Sequence, residues 1–289
     1  MRSEREMMDL IRDRARVDDR VLAAYLKGSR TDPNVPKDLY RDYDVMYVVK
    51  ETESFLSDTG WLAPFGKVIL KQEQDSAFGY GDRFGLRSGF DQLYSWLLLF
   101  EDGVRIDIGV ETVAHMQAGS TRNKLFLPLL DKVGCLPDLP PPSDEDYHVV
   151  PPDQEAFRGC CNEFFWSLCD VVKGLARVEL PYVMDIYHSR ARRMLEQMLA
   201  WYIGCITGFS VSCGKSCRFF KRYLPEDLYA RYVRACPDGE PEHIWAAVEE
   251  ACACCHDAAA LVGGRLGFEY PREEEDGFFR YLQIIKSTL

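Results

Sequence analysis

No apolar run in this 289-residue sequence approaches the roughly 20 residues that a membrane helix needs. The opening residues Met1-Arg2-Ser3-Glu4-Arg5-Glu6 are too charged to lead into a secretory signal core, so a cytoplasmic protein is expected. Positive charge is also scarce: 35 Lys and Arg against 46 Asp and Glu leave a formal charge of −11. Phosphate backbones are met by clustered Lys and Arg, so this balance argues against a nucleic-acid partner. It favours a cationic ligand, although a negative net charge is also common among soluble proteins. Internal repeats, extended low-complexity tracts and a Gly-x-Ser-x-Gly nucleophile elbow are missing as well.

The eleven cysteines are odd in number and lack an export context, so they read as reduced, mostly buried thiols. Cys252-Ala253-Cys254-Cys255-His256 has zinc-ligand residue types but the wrong spacing. On a helix Cys254 cannot join the face shared by Cys252, Cys255 and His256, and no second ligand pair stands at structural-zinc distance. The surrounding alanines suggest packing, and Cys160, Cys161 and Cys169 read the same way. His115, His148 and His243 have no sequence neighbours that would identify a nucleophile or a metal site.

With 47% hydrophobic and 28% charged residues, the chain is long enough for two domains with separate cores. Residues 3–16 predict an amphipathic helix, and Val21 to Leu26 an apolar run entering a Gly-Ser turn. Strands are expected from Asp42 through Val49, at Val68 to Leu70, at Ser95 to Phe100 and at Val104 to Ile108, the last two joined by Glu101-Asp102-Gly103. The stretch Leu136 to Pro152 is rich in proline and acid and cannot continue a helix or central strand. It predicts domains at 1–136 and 153–289 with a linker over 137–152. Helical patterns then dominate, at 155–176, 181–203, 225–235 and 242–266. The expected fold class is α+β, a mixed sheet with flanking helices followed by a helical bundle.

Gly28-Ser29-Arg30, followed by Asp42-Tyr43-Asp44 at the head of an apolar stretch, carries the chemistry. Carboxylates at i and i+2 of a strand share a face and can share a hard cation. A glycine turn lets backbone approach a phosphate, and the Ser29 hydroxyl and nearby N–H groups can donate to its oxygens. Asp107, in Arg105-Ile106-Asp107-Ile108, is an acid among apolar neighbours; if its strand adjoins the first, three acids converge. They could bind two magnesium ions, or bind one and leave a carboxylate to take a proton from an attacking hydroxyl. The plainer alternative is that Asp42 caps a strand and Asp107 pairs with Arg105; the Gly-Ser turn and the third acid tip the balance towards metal and nucleotide.

At these residues the chain resembles the nucleotidyltransferase superfamily. Lys27-Gly28-Ser29-Arg30, Pro36-Lys37-Asp38, Asp42-Tyr43-Asp44, Tyr147-His148-Val149, Cys160-Cys161-Asn162-Glu163-Phe164, Lys173-Gly174-Leu175 and Gly214-Lys215 look like the aminoglycoside 6-adenylyltransferases that inactivate streptomycin, across nearly the whole chain. The resemblance implies a catalytic N-terminal domain, a helical substrate-binding domain, and transfer of AMP from Mg-ATP to a streptomycin hydroxyl with release of pyrophosphate. Gly28, Ser29 and Arg30 would then hold the nucleotide, and Asp42 and Asp44 the magnesium. Asp107 would complete the metal site or act as general base.

In the helical domain, Lys215 reads as a triphosphate contact or as an ordinary solvated lysine. Gly208 to Gly214 is one residue too long for a Walker A loop. Asp185, His188 and Arg192 fall at i, i+3 and i+7, one helical face. That face would either line the cleft, Arg192 meeting phosphate and Asp185 a guanidinium, or form a salt-bridged surface stripe. Glu179 is a further candidate for recognising a cation. A monomer taking ATP and a cationic aminoglycoside is expected. The competing functions are adenylyl transfer to another small molecule or macromolecule, and nucleotide binding without turnover.

Overall fold

The computed structural model describes residues 1–58, 60–73, 90–119 and 123–289. The chain divides into two compact units, Met1–Asp146 and Tyr147–Leu289, so the division falls inside the proline-rich segment. Among the described residues no helix is long and apolar enough to cross a membrane.

The first unit begins with α1 (Glu4–Val17), closed at its N-terminus by a capping box in which Ser3 and Glu6 bond reciprocally. A six-stranded mixed sheet follows, in the order β3-β4-β5-β2-β1-β6. Its strands are β1 (Val21–Lys27), β2 (Tyr43–Val49), β3 (Val68–Glu73), β4 (Leu93–Phe100), β5 (Arg105–Thr112) and β6 (Phe126–Asp131). Short helices α2 (Glu53–Ser57) and α3 (Val113–Gly119) complete the unit. The β4–β5 hairpin turns where the sequence predicts it, with Gly103 at φ +80°. Among the described residues only β2 and β5 run parallel, and their register sets Asp44 beside Asp107.

Alternation along the strands divides the sheet into two faces. Val45, Tyr47, Val49, Ile106, Ile108 and Val110 pack with Met7 and Ile11 of α1 in the larger core. Ala23, Tyr25, Met46 and Val48 meet Met116 and Phe126 in a smaller one. Asp44 and Asp107 lie in phase with this second face.

The second unit is helical: α4 (Gln154–Ala176), α5 (Leu180–Ile186), α6 (Arg192–Thr207), α7 (Phe220–Tyr223), α8 (Glu226–Arg234), α9 (Pro241–Leu266) and α10 (Arg272–Lys286). One core joins Phe157, Phe164, Leu168, Leu195, Met198 and Val248 with many others. Cys160, Cys161, Cys252, Cys254 and Cys255 are buried free thiols within it. The single helix expected over 181–203 is interrupted by a π-helical turn at Tyr187–Ala191. There the Tyr187 hydroxyl donates to the Ala235 carbonyl at 2.6 Å. Short-period hydrophobicity cannot foresee a wide turn that tertiary packing stabilises.

Candidate active site

β1 ends at Lys27, and the chain bends through the short turn Gly28–Arg30. Gly28 sits at φ +71°, and a Cβ there would collide with the Asp44 carboxylate. Glycine is therefore required twice, for the backbone angle and for the close approach to Asp44. Thr31 secures the bend by donating its N–H and its hydroxyl to the Gly28 carbonyl at 3.0 and 2.8 Å.

Asp44 pairs across the sheet with Lys27 on one side and Asp107 on the other. Asp42 lies just before β2 and outside the ladder, a correction to the expectation of two acids on one strand. It is tied to the cluster by Arg105, whose guanidinium lies 3.5 Å from Asp42 and 3.3 Å from Asp107. Asp107 thus does pair with Arg105, and only Asp44 stands beside it in register. Among the described residues no three His, Cys, Asp or Glu side chains are gathered closely enough to hold a metal ion; the acids are arranged around Arg105 instead.

Burial, and next the charge of Asp107, pushes Asp44 up to about 6. Burial also raises Asp42, against the pull of Arg105. Asp42 and Asp44 offer carboxylate oxygens, the donor type that hard cations take, while the Arg105 guanidinium occupies a cation's place beside Asp42 and Asp107.

Arg30 is 6% exposed at its side chain. It donates to the Asp42 and Arg41 carbonyls at 3.0 and 2.8 Å and stacks 3.5 Å from the Tyr43 ring centroid. The structure commits it to fastening the 31–42 loop. Arg41 is the cation that sequence reading missed. Its Nη1 donates to the Ser29 carbonyl at 3.4 Å, while its Nε is buried without a partner among the described residues. Its position directly before Asp42 was the available signal.

The family described as streptomycin adenylyltransferase matches residues 1–285 of this chain. The chain belongs to that family. It is 35% identical over 276 residues to the aminoglycoside 6-adenylyltransferase of Campylobacter jejuni, covering 95% of this chain and 93% of that protein. It is 32% identical to the aminoglycoside 6-adenylyltransferase of Bacillus subtilis strain 168, covering 99% and 98%. The crystal structure of an aminoglycoside 6-adenyltransferase from Bacillus subtilis aligns over 99% of both chains with 29% identity and a TM-score of 0.49. The streptomycin adenylyltransferase family is one of nucleotidyltransferases, and this chain is an enzyme of that class.

The helical unit of this family member treats its candidate residues unequally. Arg192 is 14% exposed at its side chain, pairs with Glu196 at 3.2 Å and stacks 4.5 Å from the Tyr232 centroid. Those contacts commit it to the unit's own packing. Asp185 and His188 are exposed, and the π-helical turn separates Asp185 on α5 from Arg192 on α6, so the three do not form the regular stripe that their spacing predicts. Glu179 is exposed at the N-cap of α5 and bonds no helix N–H with its side chain. Lys215 is exposed beside Gly214, whose φ of +72° makes a tight turn.

His115 has a partner that no sequence neighbour announced. Its Nδ1 lies 2.7 Å from the buried Glu111 carboxylate. Glu111 continues the two-residue phase of Asp107 along β5, a signal legible in the sequence only once that phase is recognised as facing a site.

Proposed function

We propose that this enzyme transfers AMP from Mg-ATP to a hydroxyl of streptomycin or a close aminocyclitol relative, in the cytoplasm and as a monomer. The observation that supports the reading is the register of Asp44 with Asp107 next to the Gly28 turn, where the backbone approaches the Asp44 carboxylate closely. Gly28, Ser29 and Arg41 hold the triphosphate, Arg41 standing against the turn with its Nη1 donating to the Ser29 carbonyl. Arg30 contributes by fixing the loop that carries Arg41 and Asp42. Asp42 and Asp44 hold magnesium, whose chemistry is to neutralise the phosphate oxygens as charge redistributes.

Asp107 receives the proton of the acceptor hydroxyl. That oxygen forms a bond to the α-phosphorus as the bond to the β-phosphate's bridging oxygen breaks, and pyrophosphate departs. Alignment and charge neutralisation supply most of the rate.

Incubation with labelled ATP, magnesium and a panel of hydroxyl acceptors tests the assignment. Streptomycin should gain one adenylyl group by mass spectrometry with stoichiometric pyrophosphate, and Asp42→Asn and Asp44→Asn should each lose at least 100-fold in kcat, the order expected for removing a preorganised charge. Normal turnover in either variant would refute the metal assignment. Binding of Mg-ATP without pyrophosphate release for any acceptor would favour a nucleotide-binding module.

A further inference from the structure

Four residues beyond Asp107 on β5, and in the same phase, Glu111 is only 3% exposed. One of its oxygens accepts from the Tyr25 hydroxyl, and the other meets His115 Nδ1. An ionised carboxylate can be buried there because two donors satisfy it, yet among the described residues it has no Lys or Arg ion pair. Burial, and then the charge of Glu111, pushes the Tyr25 phenol up, so Tyr25 stays a donor. With Nδ1 against the carboxylate, His115 leaves Nε2 as the ring nitrogen outside that contact. The His115 side chain is 39% exposed while that of Glu111 is 4% exposed, so the ring leads from the buried charge towards solvent.

These groups open onto a cavity of about 190 Å³ lined by Tyr25, Lys27, Met46, Glu111, His115 and Phe126. Tyr25 and Phe126 stack at 4.2 Å along one part of its wall. The cluster thus places a buried carboxylate, held by a phenol and an imidazole, beside a cavity on the face that carries Asp44 and Asp107. Lys27, beside Asp44 in the sheet, brings a positive charge to one end of this lining; at the other, Glu111 would repel an anionic phosphate, whereas a cation would gain from its charge and from the aromatic walls. Four strand residues span ~13 Å, a reach that suits a polycyclic acceptor with a charged group at one end and a reacting hydroxyl at the other.

We propose that this cavity is the subsite for a guanidinium or ammonium group of the hydroxyl acceptor. The Glu111–Tyr25–His115 cluster holds that group, and the acceptor's reactive hydroxyl extends towards Asp107. The inference rests on the AMP-transfer reading for the identity of the acceptor; the cavity's preference for a cation is a property that binding alone can measure.

Calorimetric titration of the intact, nucleotide-free protein with streptomycin is the first test. Glu111→Gln and His115→Gln should each weaken binding about tenfold, with far-ultraviolet circular dichroism unchanged; the partly exposed His115 makes its variant safe should Glu111→Gln fail to fold. Steady-state kinetics should then show KM for streptomycin rising by a similar factor in both, with KM for ATP within twofold of wild type. Unchanged streptomycin affinity in the folded His115→Gln variant overturns the proposal, as does a rise confined to KM for ATP. A wild-type protein that binds streptomycin through this cluster but transfers no AMP would refute the catalytic reading and leave the subsite standing.

Discussion

Burial and Asp107 together hold Asp44 up to about 6, so at pH 7 the folded chain carries an ionised carboxylate where a neutral one would cost less. A carboxyl whose pKa is raised on folding binds its proton more tightly in the folded state. Folding therefore gains stability from it below about pH 4 and loses that gain as pH rises through about 6. Asp44→Asn should abolish transfer while stabilising the metal-free protein by about 1–2 kcal/mol at pH 7.5, after allowance for partial solvent screening. Denaturant melts at pH 7.5 and pH 4 check this, because the advantage should vanish at the lower pH. Added magnesium should raise the melting temperature of the wild type and leave Asp44→Asn unmoved.

Among the elements, the 31–42 loop is anchored at its start by buried Val35 and by Asn34, which donates to Asp144 at 2.8 Å. Leu39 and Tyr40 are 73% and 82% exposed, so hydrophobic burial contributes little order at the Asp42 end. Arg30 supplies it through two carbonyls and the Tyr43 ring. Arg30→Ala should raise KM for ATP by about tenfold, equivalent to ~1.4 kcal/mol, through misplacement of Arg41 and Asp42. Trypsin should then cut at Lys37 in the native variant faster than in the wild type, and equal cleavage rates would count against the fastening role. The strands carrying the acids were legible because apolar runs with regular phase flank them, and the long helices α4 and α9 because their periodicity persists. β6 was missed because Pro128 interrupts it, a residue tolerated at the edge of the sheet that β6 forms. α10 was missed because Arg272-Glu273-Glu274-Glu275-Asp276 gives it a highly charged start and only Phe278 and Leu282 are buried.

For the whole molecule, the formal charge of −11 acts at long range on whatever approaches. If the acceptor is a polycation, kcat/KM for streptomycin should fall several-fold as ionic strength rises from about 0.02 M to 0.2 M, where the Debye length contracts to below about 10 Å. Stopped-flow or initial-rate measurements at fixed magnesium check this, and a salt-independent value would remove steering from the account. The sequence by itself determined the α+β class, the Gly-Ser turn and the identities of the three acids, because local periodicity and backbone permission are written residue by residue. It could not determine that Asp42 stands outside the ladder, that Arg105 bridges two of the acids, or that Glu111, Tyr25 and His115 meet around a cavity. Those relations join residues as far apart as 86 positions, Tyr25 to Glu111, and only the pairing of β1, β2 and β5 brings them together. A hairpin's register is fixed by its turn, but β2 and β5 run parallel with β3 and β4 between them in sequence, so their pairing is settled only when the whole face is buried at once.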